Sequence, residues 1–439
     1  MAIAVAVIAV EEDKLSSIKN SKHQIGMFGT FDVWNFGDLL FPLLAEKELS
    51  KRLGEVKIRP FSYYEKLKTN WPYVTTPLTE LAETANTLDA VLIGGGHIIR
   101  FDKRIAPGYF PPNSSIHHPT GYWLTPALIA LQQGLPIIWN APGVFEENGF
   151  PEWTRPLLEF VFENSPYISV RDEESKKVIS RYIDESKIKL VPDTAFGISR
   201  LVDQEKPSKE YEYLRLQLGL TKPYIILQAT ETITSIFHLI EANVRKFQDF
   251  QLLVVPISPV LGDQISAVQS KVANVIYLKE TIHPLLIAEL ISHAEGVIGH
   301  SLHLSITALT FGVPVFRPDS INNGKYKILS TFNTVYSMSG ESKNLEWFIS
   351  KLGRATLAPE VTAKTELVAQ HWKAIAKIIL NGKINTQPQV NRFLQSLPGQ
   401  LESKQISLYN SMYYNFCTRK MLSRLRGLFN ILKRILGKE

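Results

Sequence analysis

The feature that most constrains this chain is a rhythm. Short, continuous apolar runs rich in Val and Ile alternate with helix-period segments along most of its length. In the first half the runs are HQIGMFGTF (23–31), KIRPFSY (57–63), AVLIGGG (90–96), PIIWNAPGV (136–144), YISVRD (167–172) and KLVPDTAF (189–196). In the second half they are YIILQ (224–228), FQLLVVPIS (250–258), NVIYL (274–278), EGVIGHS (295–301) and VPVFRP (313–318). Most lack alternating polar residues, as strands covered on both faces require. Between them lie helical patterns such as LLFPLLAEKELSKRL, PEWTRPLLEFVFE and PLLIAELISHA. Strand–helix–strand units chained in this way build doubly wound parallel sheets. The polar, Pro-containing stretch DQEKPSKEYEYL (203–214) divides the halves and reads as a linker. The expectation is an α/β protein of two Rossmann-like domains facing a cleft, residues 1–202 and 203–380, with a tail from 381 to 439. In open α/β sheets, ligands sit at the carboxyl ends of the strands, which here means the cleft.

Composition narrows the setting. The single cysteine, Cys417, excludes an intramolecular disulfide and a Cys-based zinc cluster, and suits a reducing compartment. The opening MAIAVAVIAV is apolar but has no basic n-region and is too short to span a bilayer, so a buried strand is expected rather than a signal peptide. A cytoplasmic protein is expected. Net charge is +6, but Lys and Arg are mostly interleaved with acids, which argues against a nucleic-acid partner. The tail is the exception. From Arg419 to Lys438 there are seven Lys or Arg and no acid, with Met421, Leu425, Leu428, Leu432 and Ile435 at helical spacing. Such a helix either docks on the body with its basic face in water or lies peripherally on an anionic membrane surface. Residues 360–380 read as one long helix and 381–400 as irregular.

Several strand ends carry candidate chemistry. In GTFDVWNFGDLLFPLLAEKEL (29–49), Asn35, Gly37 and Asp38 fall where the first strand hands over to a helix. Asn and Asp there can cap the helix, and Gly37 allows positive φ or close backbone approach. Alternatively, this helix N-terminus faces the cleft and holds an anionic or hydroxylated ligand. LIGGGHIIR (92–100) places Gly95, Gly96 and His97 at another strand end, without the GxGxxG of dinucleotide sites and with no P-loop elsewhere. The long segment from His97 to Tyr122 holds Arg100, Lys103, Arg104, His117 and His118. With no carboxylate or thiol set nearby, it reads as a substrate-binding loop rather than a metal site. In SVRDEES (169–175), Arg171 and Asp172 are expected to pair, and Asp172 and Ser175 to cap a helix. Asp193 in VPDTAF (191–196) is expected to cap or brace a loop. GVIGHSLHLSITALTFGVPV (296–315) is the most telling: His300, Ser301 and His303 occupy a turn that opens a helix, where free amides and an imidazole meet. Histidine can also act as acid or base near neutral pH.

In this order, WNFGD (34–38), LIGGGHI (92–98), SVRDEES (169–175), VPDTAF (191–196) and GHSLHLSITALTFGVPV (299–315) resemble the polysaccharide pyruvyl transferase family. The resemblance implies a fold similar to GT-B glycosyltransferases. It implies transfer of a pyruvyl group from phosphoenolpyruvate to sugar hydroxyls of a cell-surface polysaccharide or its lipid-linked precursor, giving a ketal without metal or cofactor. His303 matches the family's motif histidine. Many members carry Arg two residues earlier, where this chain has Ser301, so the resemblance leaves the cation to Arg171, Arg317, Lys325 or the basic residues at 100–104. His300 and Ser301 fall on the donor side. Asn35, Gly37, Asp38, Gly95, Gly96, His97, His117 and His118 fall on the acceptor side. Two rivals share the pattern: a GT-B glycosyltransferase using a nucleotide sugar, with Glu280 or Glu295 on the ribose, and a catalytically degenerate scaffold in glycan biosynthesis.

Overall fold

A computed structural model describes residues 22–403, apart from 69–70, 102–108, 110–118, 146–149, 231–232, 266–271, 273, 320–323, 338–342 and 355, together with scattered positions between 410 and 421. The opening apolar run, His117, His118 and nearly all of the basic tail lie outside the described residues.

Two parallel sheets carry the architecture. The first contains β1 (Lys22–Phe28), β2 (Glu55–Ser62), β3 (Thr76–Pro77), β4 (Ala90–Ile93) and β5 (Ile137–Trp139), in the spatial order 3-2-1-4-5. The parallel pair β6 (Ile168–Val170) and β7 (Ile188–Leu190) abuts its β5 edge through a bridge between Ile138 and Tyr167. The second sheet contains β8 (Tyr224–Gln228), β9 (Gln251–Val255), β10 (Val275–Tyr277), β11 (Gly296–Ile298), β12 (Val315–Arg317) and β13 (Val335–Ser337), ordered 10-9-8-11-12-13. Both therefore follow the Rossmann order, each reversing direction beside its first strand. The expected two-lobed α/β class is the observed one. The strands follow the apolar runs closely, with β3 and β13 the two that no run announced.

The lobes share a core. One buried cluster joins Ile25, Met27 and Leu92 of the first sheet to Ile226, Leu253 and Val297 of the second. Outer clusters cover the far face of each sheet. At the centre lies α1 (Phe36–Leu53), which is buried along most of its length. Its amide at Phe36 donates to the carbonyl of Ile257 in the second lobe at 2.9 Å. Lys51 and Arg52 in its last turn favour its dipole, and Gly54 ends it at φ 88°. The long carboxyl-terminal helix covers Pro359–Asn381, as the periodicity predicts, and turns back to the first lobe. There His371 bonds Tyr167 and Asn140 at 2.9 and 2.8 Å. The stretch expected to be irregular is helical over 387–403, and its Phe393 stacks on Phe160 with centroids 4.1 Å apart. A polar composition hid a helix that buries only one face.

Candidate active site

The two switch points face each other. The loops after β1 and β4 in the first lobe, and after β8 and β11 in the second, enclose a cavity of about 710 Å³. That is within the range of roughly 300–1,000 Å³ usual for small-molecule sites. Asn35, Asp38, Gly96, His97, Arg171, His300, Ser301, His303 and Lys325 all line it. Together with Arg100, ten of the positions singled out from sequence converge on one space.

Each is placed by a local cause. The helix α2 (Leu302–Thr310) starts at Ser301, whose side chain caps it by accepting from the Leu304 amide at 3.4 Å. His303 therefore sits in the first helical turn. Its Nε2 lies 3.4 Å from Asp193 Oδ2, an ion-pair distance, and its ring meets Phe41 edge-on at 5.4 Å. Gly37 does not line the cavity; it explains the seat of His303 instead. A Cβ on Gly37 would fall 1.8 Å from His303 Nδ1, so only glycine lets α1 and α2 approach this closely. Gly95 likewise lies under Phe41 rather than in the cavity. The Gly94–Gly96 run takes φ of +132°, +95° and +76°, a turn that L side chains rarely adopt.

Asn35 occupies the N-cap position of α1 but makes no cap bond. Its Nδ2 donates to Asp38 Oδ2 at 2.9 Å, and its Oδ1 accepts from Ser258 Oγ of the other lobe at 3.1 Å. The expected capping role is thus replaced by a tie across the cleft. Asp38 Oδ2 also accepts from Thr30 Oγ1 at 2.8 Å. Burial pushes the Asp38 carboxyl above its usual range, and the facing His303 and the Thr30 bond only partly oppose this. Asp193 behaves oppositely. Burial would raise it, but facing His303 and Arg171, with the Ala195 amide donating at 3.0 Å, hold it at about 2. Two carboxylates on either side of one imidazole are therefore driven apart.

Arg171 supplies the cavity's most confined positive charge. Its side chain is 5% exposed, its Nη1 lies 3.4 Å from Asp193, and its Nε lies 3.4 Å from Asp172. Among the described residues, its buried Nε and Nη2 have no hydrogen-bond partner. Asp172 caps the next helix through the Ser175 amide at 2.7 Å, as its spacing predicts. Arg100 also lines the cavity, with its guanidinium 4.3 Å from the Phe145 ring centroid. His97 is held at about 3 by burial and by the nearby Arg171, so it is a neutral imidazole, bonded to the Val144 carbonyl at 2.8 Å.

Arg317 does not reach the cavity. It is fully buried on β12, its Nη2 2.9 Å from Asp319, its Nη1 3.4 Å from Ser305, and its guanidinium 4.4 Å from the Tyr326 ring. Strand alternation sends it beneath the site, where it steadies Asp319. Asp319 in turn pairs with His300 at 3.2 Å. Glu280 and Glu295 also fall outside the cavity lining.

Sequence reasoning missed Gln228 and Asp263. Gln228 Oε1 accepts from the amides of both His300 and Ser301 at 2.8 Å, while its Nε2 donates to Asp263 at 3.0 Å. Asp263 also accepts from the Ile257 and Ser258 amides at 2.9 and 2.8 Å. These two side chains fix the turn that presents His303. The available signal was a glutamine ending an otherwise apolar buried strand, YIILQ. Among the described residues, no group of three or more His, Cys, Asp or Glu is arranged to hold a metal ion.

A two-lobed Rossmann fold with its cavity at facing switch points defines a GT-B-like architecture, and comparison with solved structures agrees. The chain is similar in fold to UDP-GlcNAc 2-epimerase from Methanocaldococcus jannaschii, with a TM-score of 0.56 at 13% identity over 81% of this chain and 100% of that one. It is similar also to UDP-GlcNAc 2-epimerase from Neisseria meningitidis, solved bound to UDP-GlcNAc, with a TM-score of 0.52 at 15% identity over 82% of this chain and 100% of that one. No curated protein sequence matches. The polysaccharide pyruvyl transferase family matches residues 35–317, more than half of the chain, a span that reaches into both lobes and includes most of the cavity lining, from Asn35 to His303. The chain belongs to the polysaccharide pyruvyl transferase family, and is a polysaccharide-modifying transferase. No helix among the described residues is long and apolar enough to cross a membrane.

Proposed function

We propose that the cleft transfers a pyruvyl group from phosphoenolpyruvate to two hydroxyls of one sugar in a glycan acceptor, forming a cyclic ketal and releasing phosphate. The observation that carries this is Arg171: a buried guanidinium on the cavity wall, held by ion pairs to Asp172 and Asp193, whose Nη2 makes no hydrogen bond among the described residues. A guanidinium fixed in place with its Nη2 still free to donate suits a small, multiply charged anion, since charge-assisted bonds to carboxylate or phosphate are strong. Lys325 and Arg100 line the same cavity and would share the donor's remaining charge. Arg171 thus answers for the arginine that Ser301 lacks.

The chemistry follows from the charges present. A proton delivered to the donor's methylene carbon makes the adjacent carbon electrophilic. One sugar hydroxyl adds there and gives up its proton. A second hydroxyl then displaces phosphate and closes the ring, its proton leaving with the phosphate. His303 is the acid, or contacts the departing phosphate, and Asp193 orients it. Asp38, whose raised affinity for protons suits a base, receives the acceptor's proton from the opposite wall. Asn35, Gly96 and His97 lie on that acceptor wall, and His300 and Ser301 on the donor wall. The lipid-linked form of the acceptor, and attachment to a membrane face through residues 419–438, complete this reading.

The test is glycan-dependent release of phosphate from phosphoenolpyruvate. His303→Ala should lose on the order of 10²–10⁴-fold in turnover, the usual share of general acid–base catalysis, while the protein remains cooperatively folded. A His303→Ala protein that turns over normally removes His303 from the mechanism.

A further inference from the structure

Beside the catalytic cavity lies a second one of about 530 Å³, open to solvent, and the two share Val33 and Val260. Its first-lobe wall is Asp32, Trp34, Lys66 and Trp71, and its second-lobe wall includes Pro259 and Thr281. The mechanism above uses none of these six residues.

The walls are held in place from both sides. Trp71 is buried, and its indole Nε1 donates to the Phe31 carbonyl at 2.7 Å. Trp34 is half-buried, and its ring lies 4.4 Å from that of Trp71, tilted by 51°. The Val260 amide donates to the Trp34 carbonyl at 3.3 Å, which ties the two lobes together along this groove. Lys66 Nζ stands 5.1 Å from the Trp71 ring centroid. Asp32 accepts from the Tyr64 amide at 2.8 Å and from the Tyr109 hydroxyl at 2.6 Å. Tyr109 in turn accepts from the Tyr122 hydroxyl at 2.6 Å.

We infer that this groove is a glycan subsite, holding a sugar unit next to the one that receives the pyruvyl group. The inference rests on the reading of the acceptor as a glycan and extends it. A pyranose ring has an apolar C–H face and a hydroxyl edge. The paired indoles offer an apolar surface, while Lys66, Asp32 and Thr281 offer a donor, an acceptor and a hydroxyl around it. The charge balance separates the two cavities. Here one carboxylate faces one ammonium, which suits a neutral ring. The neighbouring cavity sets Arg100, Arg171 and Lys325 against Asp38 and Asp263, a lining in net positive excess that suits the anion. Continuity through Val33 and Val260 lets one glycan chain occupy both.

The test is a glycan array probed with the full-length protein and no donor, so that it does not depend on whether phosphoenolpyruvate is the true donor. The parent should bind a subset of glycans of two or more sugars and none of the single sugars. Trp34→Ala should weaken that binding roughly tenfold, the scale of losing one aromatic face, and Trp34→Phe should restore most of it. Lys66→Ala, which removes the ammonium over the Trp71 ring and leaves both indoles in the chain, should weaken the same subset. A blank array for the parent, equal binding of single sugars, or unchanged binding by both Trp34→Ala and Lys66→Ala would overturn the subsite. If the array succeeds while phosphate release fails, the donor assignment is wrong and the subsite stands.

Discussion

Replacing Gly37 by Ala probes the contact that builds this site. Gly37 is the second residue of α1, and elsewhere in a helix the change would stabilise by roughly 0.5–1 kcal/mol. Here the new Cβ would sit 1.8 Å from Nδ1 and 2.0 Å from Cγ of His303, where ordinary contact begins near 3.4 Å. The imidazole must therefore recede by about 1.6 Å, or the helices must part. Neither is free in a packed core, where overfilling costs about 1–3 kcal/mol. The net expectation is a loss of on the order of 1 kcal/mol in stability despite the better helix residue. Activity should suffer more, since a misplacement of about 1 Å can cost on the order of 10²-fold in rate. The assay pairs urea unfolding with the initial rate of glycan-dependent phosphate release. A Gly37→Ala protein that is more stable than its parent and equally active would refute the claim that this glycine exists to seat His303.

Two further outcomes follow from the same geometry. Gln228→Ala leaves the half-buried amides of His300 and Ser301 without this acceptor, so stability should fall by on the order of 1 kcal/mol. Activity should fall as the turn loosens, and an unchanged urea midpoint would contradict this. His371 is held at about 3 by burial, against about 6.5 in an unfolded chain. Below pH 6.5 the unfolded state takes up a proton that the folded state refuses, so stability drops as pH falls, by about 1.4 kcal/mol per unit until pH approaches 3. His97 adds a second contribution of the same sign. The urea midpoint should therefore decline from pH 7 to 5, less steeply in His371→Asn, and equal slopes in the two proteins would argue against the buried neutral imidazole.

Much of the architecture was legible because strands covered on both faces are written as unbroken apolar runs. β3 and β13 escaped because two- and three-residue edge strands carry too little pattern. The site was legible in position and less so in role. WNFGD announced a special junction, yet nothing local distinguishes a helix cap from a bond across the cleft, and Asn35 makes the second. Gly37 advertised freedom of φ, when the demand on it is room for a side chain more than 260 positions away. Arg317 and Arg171 look alike as isolated cations near strand ends. Only the pleat and the neighbours decide that one is buried against Asp319 and Tyr326 while the other lines the cavity. Gln228 and Asp263 act through backbone amides, and beyond the lone glutamine that closes YIILQ such partnerships leave little trace in residue type.

The central claim is that a small anion is held at Arg171, between the two switch points. Calorimetric titration of phosphoenolpyruvate into the full-length protein and into Arg171→Gln, with UDP-GlcNAc as comparison ligand, tests it most directly. The parent should bind phosphoenolpyruvate, and Arg171→Gln should bind it on the order of 10²-fold more weakly, as expected for losing a charged hydrogen-bonding contact. Tight binding of UDP-GlcNAc with none of phosphoenolpyruvate, or equal binding of phosphoenolpyruvate by both proteins, would contradict it.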